Sequence, residues 1–216
     1  MNQIWLNAVR ASAGAAVPWW LAGGAPEPVA VYEPAAAANL ADSYIPTIAT
    51  VGNTTLDPAI AGGVAPTFDA GWVGDGSAQL RTGIVPNANF AALIRFRSAS
   101  NAAMAFGMSA GGAAQFRIGH SPVNDVIVYA FGVVVDVEPF VADGVFGIAG
   151  GRAYRNGVDE GVSLGSYTGT GIEMYILAAN GIFARSNATI EYVAIWDTSA
   201  NHTVWMPAVS AAMAAL

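Results

Sequence analysis

The sequence predicts an all-β domain of short antiparallel strands, preceded by an N-terminal arm and closed by a short helix. Three observations predict it. Asn156-Gly157 lies between two apolar runs, and Asn-Gly is a strong hairpin signal because both residues tolerate φ > 0 and the resulting turn matches strand twist. From Phe90 onward, short apolar or alternating runs recur at close, fairly even spacing, the mark of a sandwich or barrel. The chain then ends on a strand, Thr189 to Asp197, followed by a helix from about His202 to Ala215.

In chain order, residues 1–26 read as an arm and 27–216 as the domain. Ile4, Trp5, Ala8, Val9 and Ser12 recur near helical spacing. Trp19 and Trp20 follow, inside a segment bounded by Pro18, Gly23, Gly24 and Pro26. The domain opens with a strand at Val29–Tyr32, then a helical turn within Ala35–Asp42. Thr47–Pro66, rich in Gly, Pro, Asn and Thr, reads as loop. In Phe90–Arg97, Phe90, Ala92, Ile94 and Phe96 share one face, and Ala91, Leu93, Arg95 and Arg97 the other. Further strands are expected near 103–108, 115–118, 126–131, 133–137, 145–148, 158–164 and 174–178. In the last strand, Ile190, Tyr192, Ala194 and Trp196 fall on one face by simple alternation, and Val193 and Ile195 on the other. Apolar residues on both faces predict a central strand covered on both sides. No repeat of 20 to 50 residues is visible.

The order of these elements resembles the C-terminal half of concanavalin A-like (laminin G-like) jelly-roll domains, in which a Y-x-N-G hairpin, here Tyr154–Gly157, leads to a final strand and a closing helix. Gly71–Gly83 resembles their F-x-G-x-G-x-x-L-x-T entry hairpin, with Trp72 in the aromatic position and Leu80 pointing inward. The resemblance covers roughly residues 29 to 216 and implies a two-sheet antiparallel jelly-roll sandwich. A closer likeness is to phage-encoded domains of this kind, through Val29-Ala-Val-Tyr-Glu-Pro34, Ala65-Pro-Thr-Phe-Asp-Ala-Gly-Trp72 and Val209-Ser-Ala-Ala-Met-Ala-Ala-Leu216. It implies a structural or adhesive subunit of a bacteriophage particle, a capsid decoration, tail or fibre component located in the virion and able to contact host glycans. The rival reading is a free or cell-surface carbohydrate-binding module.

Composition narrows the partners. Of 216 residues 54% are hydrophobic, but 44 are Ala, so large core formers come chiefly from nine Phe, seven Tyr and six Trp. All eight basic residues are Arg, against 15 acidic ones, giving a net charge of −7. An acidic chain without Lys has little means of displacing counter-ions from phosphate backbones or anionic lipid, so neither nucleic acid nor membrane insertion is expected. Charged residues are only 11% of the chain, low for a free soluble domain; this reads either as the composition bias of a GC-rich genome or as surface buried by neighbouring subunits, which the phage resemblance would make copies of itself or other virion proteins. With no Cys, thiolate chemistry and disulfides are excluded. No apolar run of about 18 residues is unbroken, and Met1–Asn7 lacks the basic start of a signal peptide.

The candidate sites are few. Trp19 and Trp20 could fold back over the domain, dock on a neighbouring subunit or stack on a sugar. With Trp5 they form the expected intersubunit contact, since a few buried aromatics can dominate an interface. The Glu-x-Asp-x-x-Glu strand motif of glucanases with this jelly roll is absent. The nearest carboxylate pair, Asp136 and Glu138, abuts Pro139, which ends a strand. The chain is therefore expected not to be an enzyme, with no catalytic residue. Gly119-His-Ser-Pro-Val123 lacks the second Gly and the α/β context of a nucleophile elbow. His120 and His202 have no acidic neighbour at metal-ligand spacing. No cofactor or metal site is assigned. The resemblance implies that any calcium would be held at a loop rim, where Asp69, Asp75 and Asn156 are the oxygen donors to consider. Asn53, Asn187 and Asn201 head glycosylation-type triplets that matter only in a secretory context.

Overall fold

The computed structural model describes residues 17–56, 65–97, 103–110, 114–121, 126–137, 139, 141–178 and 186–216. Its elements are β1 (Ala30–Tyr32), a 3-10 turn (Pro34–Ala36), α1 (Leu40–Ser43), β2 (Ile48–Ala49), β3 (Thr67–Phe68), β4 (Trp72–Val73), β5 (Leu80–Arg81), β6 (Phe90–Arg97), β7 (Ala103–Ser109), β8 (Gln115–Ser121), β9 (Val126–Phe131), β10 (Val133–Val137), β11 (Gly144–Ala149), β12 (Arg152–Arg155), β13 (Val158–Ser163), β14 (Tyr175–Ile176), β15 (Thr189–Asp197) and α2 (His202–Ala214). A further 3-10 segment, Trp19–Gly24, precedes β1. The strands form two antiparallel sheets, the expected jelly-roll sandwich. The first sheet runs β13-β12-β11-β6-β15-β1-β2, with β3 and β4 attached at β15. The second runs β10-β9-β8-β7-β14-β5.

The main core lies between the sheets. Alternate residues of each long strand fill it: Ala92, Ile94 and Phe96 from β6, Phe116 and Ile118 from β8, Ile127, Tyr129 and Phe131 from β9, and Val193 and Ile195 from β15. Phe96 stacks on Phe146 at 4.4 Å, and the Tyr129 hydroxyl donates to the Tyr154 carbonyl at 3.1 Å, tying the sheets together. Trp72 is fully buried and its indole N–H donates to Ser43 Oγ at 2.7 Å, which anchors α1 to the core.

A second core covers the outer face of the first sheet. Tyr192, Ala194 and Trp196 of β15, Ala91 and Leu93 of β6, and Tyr154 meet Trp205, Met206, Val209 and Met213 of α2 there. Trp196 and Trp205 lie 5.0 Å apart. Strand β15 is thus sealed on both faces, between β6 and β1, as its apolar faces predict. Its alternation differs in one place. A bulge falls between Ile190 and Tyr192, so Ile190 joins Val193 and Ile195 in the main core rather than sharing a face with Tyr192. One extra residue reverses the facing of everything before it.

Trp19 and Trp20 are 8% and 7% exposed and belong to this second core. The Trp19 ring meets Tyr192 edge-on at 6.1 Å, and its indole N–H donates to Glu33 Oε1 at 2.9 Å. Gly23 lets the segment approach α2 closely: a Cβ there would stand 2.5 Å from the Ala208 Cβ. The Trp196 indole donates to the Pro26 carbonyl at 3.0 Å. The ring surfaces expected to meet a neighbouring subunit are therefore covered by the chain's own helix and sheet. Trp5 and residues 1–16 of the expected arm lie outside the described residues.

Two outcomes follow from this packing. Trp196→Ala removes the largest side chain shared by β15 and α2 and should cost about 3–5 kcal/mol in urea unfolding. His202, the first residue of α2, meets Tyr154 edge-on at 6.1 Å. Burial pushes its pKa below the ordinary value, against the pull of Asp159. A lowered folded value means that the unfolded chain takes up the proton first. Stability from this group is complete above about pH 6.5 and is lost as pH falls through the folded value. A wild-type midpoint that declines below pH 6.5, with a shallower decline in His202→Gln, is the expected result. Parallel pH profiles for the two proteins would contradict it.

Candidate functional site

At one end of the first sheet the last residues of β6, the start of β11, the β12–β13 turn, the β15 bulge and the end of α2 meet around a cleft of about 500 Å³. It is lined by Arg95, Arg97, Asp143, Gly144, Asn156 and Glu191 among others. Arg95 and Arg97 point outward because Ile94 and Phe96 point inward. Glu191 faces them because it is the extra residue of the bulge.

Glu191 is the hub of the site. Its Oε2 meets Arg95 Nε at 2.8 Å and its Oε1 meets Arg97 Nε at 2.8 Å. Both arginines hold a second partner. Arg95 Nη1 donates to the Met213 carbonyl at 2.9 Å, a cation at the C-terminal end of α2, where it also meets the helix dipole favourably. Arg97 Nη2 donates to the Asp69 carbonyl at 2.8 Å. With both oxygens taken up by guanidinium, Glu191 is fixed as an acceptor.

The far wall is the Asn156-Gly157 turn. Asn156 has φ +49° and Gly157 φ +81°, the left-handed pair that the sequence signal requires. Asn156 N–H donates to the Val145 carbonyl at 2.7 Å, and Asn156 Oδ1 accepts from Val145 N–H at 2.9 Å. The side-chain NH2 is what Asn156 has left to offer the cleft. Two pairs brace the hairpin behind it, Arg155 on Glu160 at 2.7 Å and Arg152 on Asp159 at 2.9 Å. The cleft therefore presents fixed donors and acceptors of both charges in a recess, an arrangement suited to a hydroxyl-rich ligand.

The structure separates the oxygen donors considered for calcium. Asp69 offers its carbonyl to Arg97. Asp75 Oδ1 closes its own turn, accepting from Ser77 Oγ at 2.6 Å, Ser77 N–H at 2.8 Å and Ala78 N–H at 2.9 Å. These bonds, that of the Ser77 hydroxyl first, hold the carboxyl below its usual range. Asn156 is engaged at Val145. Among the described residues no three His, Cys, Asp or Glu side chains cluster as metal ligands do. Asp136 is exposed on β10, and Glu138 lies outside the described residues. Sequence reasoning missed Arg95, Arg97 and Glu191. The outward pair on β6 was visible as a pattern, but nothing in the sequence marks the bulge that brings Glu191 to it.

The chain matches no protein-family model, and no curated protein matches it in sequence. Solved structures share its fold. A Trypanosoma rangeli sialidase in complex with the inhibitor DANA superposes on 93% of this chain at 13% identity, with a TM-score of 0.53. The same enzyme in complex with sialic acid superposes on 99% of it at 13% identity and the same TM-score. The chain spans only 34% and 39% of those two sialidase chains. Domain 4 of a GH43 extracellular arabinanase from Geobacillus stearothermophilus, in complex with arabinotriose, matches at 11% identity and a TM-score of 0.53. There the match covers 86% of this chain and 97% of that one. At these identities the likeness is one of fold.

It nonetheless overturns one expectation, that the chain is not an enzyme. Structures sharing this fold include a part of a sialidase chain and a domain of an arabinanase. The missing Glu-x-Asp-x-x-Glu motif excludes a single design of active site and says nothing of these others.

Glu191→Gln is expected to cost about 2 kcal/mol, because two guanidinium groups lose a charged acceptor at a half-buried position. Amide exchange should show the last turn of α2 opening faster, since Arg95 then holds the Met213 carbonyl less firmly. Unchanged exchange there would show that Arg95 does not depend on Glu191.

Proposed function

We propose that the chain is a glycan-binding β-sandwich module of a carbohydrate-active protein, with the cleft around Glu191 as its binding site. The observation that carries this reading is the near-complete match to a single domain of an arabinanase, seen in complex with arabinotriose. The chemistry of the cleft supports it. Sugars offer paired hydroxyls that donate and accept at once. Arg97 and Asn156 supply donors, Glu191 and Asp143 supply acceptors, and Gly144 leaves room beside them. The three sequence motifs shared with phage-encoded domains support a place for this module on a viral particle, as a decoration, tail or fibre component beside other virion proteins or further copies of itself.

Calorimetric titration of the full chain with a panel of neutral oligosaccharides, arabinotriose among them, tests the reading. At least one should bind, and Arg97→Met and Asn156→Gly should each weaken it about tenfold, the loss of one charge-assisted or fixed hydrogen bond. Binding that is untouched by both substitutions would move the site elsewhere. A panel that gives no binding at all would remove the glycan reading.

A further inference from the structure

Six arginines fall among the described residues. Five of them, Arg81, Arg95, Arg97, Arg152 and Arg155, are paired with a carboxylate. Arg117 is the exception. Its neighbours in β8, Phe116 and Ile118, point into the main core, so Arg117 stands on the outer face of the second sheet. There its Nε is sealed from solvent, and no described group accepts a hydrogen bond from it. Its cross-strand neighbours are Gly107 on β7 and Ala130 on β9, neither of which carries a polar side chain. Among the described residues Asp136 of β10 is the opposing charge that acts on it through space. Burial works against the charge and Asp136 for it, in that order.

An Nε–H that has lost water and gained no acceptor is costly, and the Arg117 side chain as a whole stays partly exposed, so the rest of its guanidinium is open to a ligand. It also offers a planar fork of donors, shaped for a carboxylate. We propose that Arg117 is a carboxylate-recognition point on the outer face of the second sheet, and that its ligand is an acidic sugar such as a uronic acid. This is a second site, on the sheet opposite the Glu191 cleft. The choice of a sugar as carrier of the carboxylate rests on the glycan-binding reading; the anion site itself does not.

The test uses the full chain and three probes: galacturonic acid oligomers, neutral galactose oligomers of equal length, and acetate. Binding is read by calorimetry and by the Arg117 Nε–H resonance in nitrogen-15 spectra. The acidic oligomer should move that resonance and bind about ten- to a hundredfold tighter than the neutral one, the worth of one charge-assisted hydrogen-bonded pair. Arg117→Met should abolish the difference, and Asp136→Asn should widen it by removing a competing negative charge. Arg117→Met should also unfold at no lower urea concentration than wild type, because it deletes an Nε–H that is buried without an acceptor. Arg155→Met, which strands Glu160, should unfold earlier. Equal binding of acidic and neutral oligomers, or a preference that survives in Arg117→Met, would overturn the proposal. If acetate moves the resonance and neither oligomer binds, the acidic sugar is wrong and that part of the proposal is overturned, while the carboxylate site stands and the glycan-binding reading rests on its own panel. If neutral oligomers bind at the Glu191 cleft and neither acidic probe reaches Arg117, only the present proposal fails.

Discussion

The burial of β15 on both faces is the constraint on which the rest of the molecule depends. Val193 and Ile195 close the core between the sheets, while Tyr192, Ala194 and Trp196 hold α2 and the Trp19–Gly24 segment against the outside. A strand of this kind has no face left to give to water, so both layers must be present for either to be stable. The bulge in the same strand sets the cleft. It places Glu191 against Arg95 and Arg97, and Arg95 in turn fastens the end of α2. The candidate site and the second core share Val145, so a change in one is felt in the other.

Much of this was legible in the sequence. Periodicity placed β6 and β15, helix boundary signals placed α2, and Asn156-Gly157 marked its hairpin because only residues tolerant of positive φ fit that turn. The elements built on two residues at β2 and β3 were not legible as strands. They are fixed by pairing with other strands, and short stretches carry too little pattern to announce it. The fate of Trp19 and Trp20 was one of three alternatives. Their partners, Tyr192 and α2, lie more than 170 residues away, and no local signal names them. The site was the least legible part. A bulge is one unpaired residue without a signature of its own, and it changes which residues share a face.

The expectation that the chain is not an enzyme rested on a missing strand motif. A motif of alternate carboxylates reports one way of placing acids in a groove. The same sandwich occurs in sialidases and in an arabinanase, where other residues and other parts of the chain are free to carry the chemistry. Fold and function are separable for this reason, and the residues around Glu191 and Arg117 are the level at which the question can be put.

The pairing of β1 with β15 joins Ala30 to Ile195 and Tyr32 to Val193, and this has a consequence for synthesis. The second sheet is mostly local: β7 to β10 pair in sequence order, and each hairpin can close soon after it emerges from the ribosome. The first sheet is local only from β11 to β13 and between β1 and the two residues of β2. Its strand β1 is among the earliest parts of the domain to emerge, and its long partner β15 is the last strand. Until residues 193–195 are available, the other edge of the apolar strand Ala30–Tyr32 is unpaired. Nascent chains of this protein therefore carry an unfinished first sheet until β15 has emerged, and closure of this domain waits on that strand.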